Sequence, residues 1–220
     1  MRRLLRVTLL LAVLSPLIAQ GDDAITFSAD RMTGNSGKSR ETTELVGNAS
    51  VSVGSLTISG GKIELSGKDF RYVKATGTVR GTDSEKGFSF TAEEVSYDRD
   101  TQIALLRGNA RLEDAKNDVS AGASLISYNR ETEVAILQVG VSLKRKTIDC
   151  TAGFALYRRA VSALELTGDP VVKRDSDEFK ASRISVDLET ERITLDGSVS
   201  GTLKDSKKPA SGIPDEGETP

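Results

Sequence analysis

Phe88-Ser-Phe-Thr-Ala-Glu-Glu-Val-Ser-Tyr-Asp-Arg-Asp-Thr101, continued by Ile103-Ala-Leu-Leu-Arg-Gly-Asn-Ala-Arg-Leu112, is the stretch that decides the fold. Phe88, Phe90 and Ala92 alternate with polar residues, which is the side-chain period of a β-strand. After Ala92 the alternation slips by one residue, and Val95 and Tyr97 carry it on. A slip turns the apolar set to the wrong face unless the strand bends or bulges there. A small residue at that point fits the inside of a corner. Asp98-Arg99-Asp100-Thr101 then reads as a hairpin turn. On the return, Ile103 and Leu105 hold one phase and Leu106, Ala110 and Leu112 the other. Gly108 lies between the two sets, where glycine relieves a crowded backbone or forms a bulge. The stretch predicts one bent hairpin.

Working outward, the same unit recurs. Six copies align on Ala29, Gly60, Ala92, Ala123, Ala152 and Ala181, with spacings of 31, 32, 31, 29 and 29 residues. Leu56, Ile58 and Gly60 give way to Ile63 and Leu65; Ala152 is followed by Ala155 and Tyr157; Ala181 is followed by Ile184 and Val186. Asn129-Arg130-Glu131-Thr132 and Asp187-Leu188-Glu189-Thr190 repeat the polar turn. Gly47, Gly77, Gly168 and Gly197 match Gly108, whereas the fourth copy has Val139 there and Gly140 next to it. A fixed period of this size means one structural unit stacked on copies of itself. The expected fold is all-β: a twisted open β-jelly-roll or two-sheet sandwich of six bent-hairpin repeats, each about 30 residues long, apolar inside and polar outside. A β-helix, the architecture of a structural or adhesive repeat protein, would carry no hairpin turn in mid-repeat.

The ends have different compositions. Arg2, Arg3 and Arg6, the apolar run Val7 to Leu14, Ser15-Pro16 and the small-residue site Ala19-Gln20-Gly21 make residues 1–21 a signal peptide, cleaved near residue 21. The apolar run is short for a membrane span, and the alternative is a retained anchor. The repeat domain occupies 22–204. Residues 205–220, rich in Pro, Gly and charge, lack the apolar surface to fold and read as a disordered tail. Removing the three signal arginines from 30 basic residues leaves 27 against 32 acidic, a net charge of about −5. That argues against a nucleic-acid partner, and the interspersed signs read as a solvated face. The locally basic residues Lys62, Lys68, Arg71, Lys74 and Arg80, with Lys144-Arg145-Lys146, read as surface too.

The chain has no His and one Cys, Cys150, which falls where other copies carry Ile58 or Phe90 and reads as a core residue. Without His, Ser-His and Cys-His nucleophile pairs are excluded. Glu93 and Glu94, adjacent on a strand, are expected on opposite faces and not on one substrate. No catalytic residue, metal site or cofactor is expected. The alternation places Ile25, Phe27, Leu56, Ile58, Ile63, Phe88, Phe90, Val95, Tyr97, Leu125, Leu143, Ile148, Phe154, Phe179 and Ile184 inside.

Thr91-Ala-Glu-Glu-Val-Ser-Tyr-Asp-Arg-Asp-Thr101 and Leu105-Leu-Arg-Gly-Asn-Ala-Arg-Leu112 resemble the repeat of the OstA-like proteins, the periplasmic lipopolysaccharide-transport family of the LptA type, which shares its fold with LptC and the N-terminal domain of LptD. The likeness runs over residues 25–203, best in the third and fourth copies. Gly34-Asn35-Ser36-Gly37 lengthens the first turn and Asp169-Pro170 interrupts the fifth return strand. The resemblance implies a jelly-roll with an apolar slit for the acyl chains of lipopolysaccharide or another glycolipid, and end-to-end joining with itself or homologous jelly-rolls in the periplasm, with no membrane span in the mature chain. The slit residues it implies are Phe27, Ile58, Ile63, Phe90, Val95, Tyr97, Leu125, Phe154, Phe179 and Ile184. The strand-addition edges are Ile25 and Phe27 at the start and Ile193, Leu195 and Val199 at the end. An inner-membrane-anchored, LptC-like component is the variant in which the first segment stays.

Overall fold

The computed structural model describes residues 24–37 and 40–204; the signal segment and the tail of the sequence reading lie outside them. One antiparallel sheet of sixteen strands runs through the molecule, bent along its length into two limbs. The strands are β1 (Ile25–Ser28), β2 (Arg31–Gly37), β3 (Arg40–Val53), β4 (Leu56–Ser66), β5 (Tyr72–Asp83), β6 (Phe88–Asp98), β7 (Ile103–Asp114), β8 (Val119–Asn129), β9 (Val134–Arg145), β10 (Ile148–Arg158), β11 (Ala163–Thr167), β12 (Val171–Arg174), β13 (Asp177–Lys180), β14 (Arg183–Asp187), β15 (Arg192–Asp196) and β16 (Ser200–Thr202). From β3 to β10 each strand turns the corner unbroken. At the start, β3 pairs with β2 on one limb and β1 on the other. At the end, β10 pairs with β11 on one limb and β12 on the other. The break between β11 and β12 falls at Asp169-Pro170, because proline has no N–H for the ladder.

The corner is where the sequence placed it. Strand pairing shifts register between Thr91 and Glu94, between Gly122 and Leu125, and between Ala152 and Phe154. Across the corner, small residues meet: Ala49 opposite Gly60, Val79 opposite Ala92, Ala110 opposite Ala123 and Val141 opposite Ala152. The return strands turn differently from the expectation. Ala104, Leu106, Ala110 and Leu112 are all buried, in one unbroken phase, and Ile103 faces out. No slip occurs between Leu105 and Leu106. Two consecutive left-handed residues, Gly108 (φ 75°) and Asn109 (φ 45°), make the corner instead and leave the parity unchanged. In the fourth copy Val139 takes this conformation at φ 65°, a strained state for a β-branched residue.

The facing surfaces of the limbs fill with one apolar cluster from Leu45 to Leu188. Leu45, Ile63, Val95, Ile126, Ala155, Leu166 and Ile184 on one limb have no exposed surface, and Val51, Ile58, Leu112, Leu143 and Ile148 on the other are nearly as deep. At about 25 cal/mol per Å² of apolar surface removed from water, this cluster is the main term holding the limbs together. Cys150 belongs to it, and burial pushes its thiol up to about 12. A thiol so far from its thiolate is inert. Phe90 crowds the backbone opposite: a side chain at Gly81 would overlap the Phe90 ring.

Candidate functional site

Each hairpin ends in a tip, and the tips of the two limbs face each other along one side of the molecule. On the first limb the tips follow Ser66, Asp98, Asn129, Arg158 and Asp187; on the second they follow Val53, Asp83, Asp114, Arg145 and Arg174. Between the tips at the N-terminal end lies a cleft of about 1300 Å³. Its apolar lining is Ile25, Phe27, Met32, Val53, Leu65, Phe70 and Tyr97; Lys68, Arg71, Arg99, Asp100 and Glu131 stand at its rim, and Arg130 closes its inner end. Phe27 and Met32 are large apolar side chains left 48% and 53% exposed by the described residues.

Beyond the cleft the tips are tied across. Arg130, on a first-limb tip, donates through Nε to Asp83 Oδ2 (2.8 Å) on the second limb and through its terminal nitrogens to Ser55 Oγ and the Tyr97 hydroxyl (both 3.1 Å). One copy further on, Arg159 donates to Asp114 Oδ2 (2.8 Å), to the Lys86 carbonyl (2.7 Å) and to Glu133 (3.2 Å). Tyr157 adds its hydroxyl to Asp114 (3.0 Å), and Lys86 reaches Glu133 at 3.1 Å. In the last copies the polarity reverses: Arg145, on the second limb, donates to the Leu188 carbonyl on the first, and Lys146 pairs with Glu191 at 3.2 Å. The Asp83 and Asp114 side chains are 3% and 0% exposed. Burial alone would raise their pKa. Hydrogen bonds from Ser55, the Lys86 amide and Arg130 outweigh it at Asp83, and those from Arg159, Asn117 and Tyr157 do so at Asp114, so both carboxyls lie below the usual range.

At the open end the pattern changes. Strand register aligns Val53, Leu56, Asp83, Phe88, Asp114 and Val119 in one row along the second-limb tips, and Val53 is the β3 residue matching Asp83 and Asp114. Arg71 grips Asp98 on its own limb with two hydrogen bonds (2.6 and 2.9 Å). That grip, with two backbone amides, holds Asp98 down to about 2. The tie runs along the rim and leaves the cleft uncrossed.

The slit residues implied by the sequence are distributed unevenly. Phe27 and Tyr97 line the cleft. Ile58, Ile63, Phe90, Val95 and Ile184 are packed core, and Phe179 is half-buried against it. Leu125 and Phe154 are corrections. They sit in the half-exposed row Glu94, Arg107, Leu125, Gln138, Phe154, Thr167, while Ile126 and Ala155 take the interior. The register shift ends one residue later than the apolar pattern suggested at Leu125. Glu93 and Glu94 also depart from expectation. The bulge falls on them, so neither is buried; Glu93 accepts from Asn109 and Glu94 pairs with Lys74 and Arg107. The solvated-face reading fails for Asp83, Asp114 and Arg159, and Arg145 belongs to a tie. The sequence did carry a signal for them: Arg99, Arg130 and Arg159 follow the strand ends at the anchor spacing, as do Asp83 and Asp114. Met32, Val53, Leu65 and Phe70 were missed as cleft residues.

The implied edges are open. β1 and β2 pair only with β3, β15 only with β14 and β16 only with β13, among the described residues. Ile193 and Leu195 are half-buried on β15, and Val199, in the link to β16, is 57% exposed. Among the described residues no group of three His, Cys, Asp or Glu is placed to hold a metal ion, and no helix is long and apolar enough to cross a membrane.

A family described as LptA/(LptD N-terminal domain) LPS transport protein matches residues 26–134 and again 132–192. The chain belongs to this family. Among solved structures, LptH of Pseudomonas aeruginosa, described as the LptA homologous periplasmic component of the lipopolysaccharide transport device, superposes with a TM-score of 0.51 at 11% identity. The match covers 56% of this chain and 99% of LptH. At that identity the likeness concerns the fold: one LptH-like jelly-roll occupies little more than half of this stack. No curated protein matches the chain.

Proposed function

We propose that this LptA/LptD-family chain is a periplasmic carrier that shields the acyl chains of lipopolysaccharide, or of a related glycolipid, on their way toward the outer membrane. The observation that carries the reading is the amphipathic cleft, with an apolar lining of Phe27, Met32, Leu65 and Phe70 beneath a charged rim. Each buried methylene is worth about 0.8 kcal/mol, so an acyl chain is held by the lining while sugars and phosphates stay in water. The reaction is transfer without chemistry. The open edges β1 and β2 at one end and β15 and β16 at the other suit strand addition, joining copies or homologous jelly-rolls into a bridge. Twelve strands on the main path, at the usual strand spacing, make each copy roughly 50 Å long. A signal peptide over residues 1–21 delivers the chain to that compartment.

The test is photocrosslinking in living cells from probes at Phe27, Met32 and Phe70. Transfer of label to lipopolysaccharide is the expected result. Folded, exported protein that labels no lipid from any of the three positions overturns the reading.

A further inference from the structure

One apolar cluster of side chains packs between the limbs, and the cleft of about 1300 Å³ lies at its N-terminal end. A chain can travel along the stack only where the limbs part. Along the tip side, their parting is opposed by discrete charged ties, Arg130 with Asp83 and Arg159 with Asp114. Buried ion pairs of this kind stabilise less than apolar contacts of the same volume, and their best-attested use is in registry and switching. From Val53 to Val119 the row they interrupt is otherwise apolar, with Val53 at the matching place and Leu56, Phe88 and Val119 at the alternate places. Arg130 also lines the cleft, so the first tie forms the inner wall of the space an entering chain would occupy.

We infer that these two arginine–aspartate pairs are latches that set how far the slit is open, and that the limbs part from the cleft inward, the Arg130 latch releasing before the Arg159 latch. The inference goes beyond the proposed cargo, since it concerns the motion of the limbs. Each latch holds one copy. Arg130 gathers Ser55, Tyr97 and Asp83 from three different strands or turns, and Arg159 gathers Lys86, Asp114 and Glu133. Loss of either guanidinium frees facing tips at the edge of the apolar cluster, which Arg130 meets at the Tyr97 hydroxyl and Arg159 over the Phe88 ring at 4.8 Å.

The test is the distance between spin labels on facing tips of the full mature chain. Ser84→Cys with Glu131→Cys reports on the first latch, and Lys116→Cys with Ala160→Cys on the second; all four positions are exposed, and Cys150 is buried. In the unaltered latches both pairs give one narrow distance. Arg130→Met lengthens and broadens the first pair only, and Arg159→Met the second. The exchange Asp83→Arg with Arg130→Asp restores the narrow first distance, and it keeps the test usable if Arg130→Met fails to fold. Unchanged distances in folded Arg130→Met and Arg159→Met protein overturn the latch. So does simultaneous loosening of both pairs by either substitution, since that marks a purely structural contact. Dodecanoic acid, as an acyl probe, lengthens the first pair before the second. Tips that open in the variants while no acyl probe binds leave the latch standing and count against the lipid reading.

Discussion

The two ends of the tip seam are made from the same repeat and behave differently. At Asp83 and Asp114 the row along the second limb presents a buried carboxylate, and an arginine crosses from the first limb to meet it. At Val53 the row is apolar, Arg71 spends its hydrogen bonds on Asp98 of its own limb, and the cleft stays open. The tied and the open tips thus differ in the residue that the second limb presents, a carboxylate at Asp83 and Asp114 and an apolar side chain at Val53. In a stacked fold, function is written in departures from the repeat as much as in the repeat.

The largest contrast should be in stability. Asp114→Ala strands Arg159 in a buried site, and loss of one partner of a buried pair costs about 3–5 kcal/mol. Asp98→Ala, at the part-exposed rim pair, is expected to cost under about 1 kcal/mol. Urea unfolding of the two variants measures both, and equal losses would break the comparison. Acid should act in the opposite order, because the pKa depression is larger at the rim pair. Asp83, Asp98 and Asp114 have folded pKa values below the unfolded one. The stability they contribute is fully present above about pH 4, the unfolded value, and is lost as pH falls through the folded values, near 2 for Asp98. Asp98→Asn should flatten the acid limb of the stability profile more than Asp114→Asn does, because the Asp98 carboxyl is held lower, and thermal melts between neutral and acid pH can follow it.

Smaller effects belong to the corners. Gly77, in the open half, has φ 82°, and Gly77→Val should cost about 2 kcal/mol, since a β-branched residue is strained there. Val139, in the tied half, already bears that strain, and Val139→Gly should gain about 1 kcal/mol by relieving it. Opposite signs in denaturant midpoints are the readout. Least affected is Phe27→Asn. The side chain is half exposed, so stability should change by less than about 0.5 kcal/mol, while lipid labelling from Met32 drops. Undiminished labelling would separate Phe27 from the cargo path.

Much of the architecture was legible because strand alternation is a local property. The parity change after Ala92 marks a corner that register confirms between Thr91 and Glu94, and the interior residues Ile58, Phe90, Val95 and Ile184 follow from counting by two. Counting fails where a bulge adds a residue: Leu125 and Phe154 fall outside the interior, Ile126 falls inside it, and the paired left-handed residues Gly108 and Asn109 keep a phase that the apolar pattern reads as changed. The candidate site was half legible. Phe27 and Tyr97 line the cleft, whereas Met32, Phe70 and Arg130 come from turns and edges whose alternation says little.

By itself the sequence determined the repeat, the bent hairpin and the open stack, because period-two alternation and small corner residues act within one strand and its neighbour. Only the tertiary structure decided which charges are solvated and which are ties. Asp83 and Arg130 lie 47 residues apart, and their pairing depends on one limb folding over the other. Burial and partner distance, not residue type, then set their chemistry.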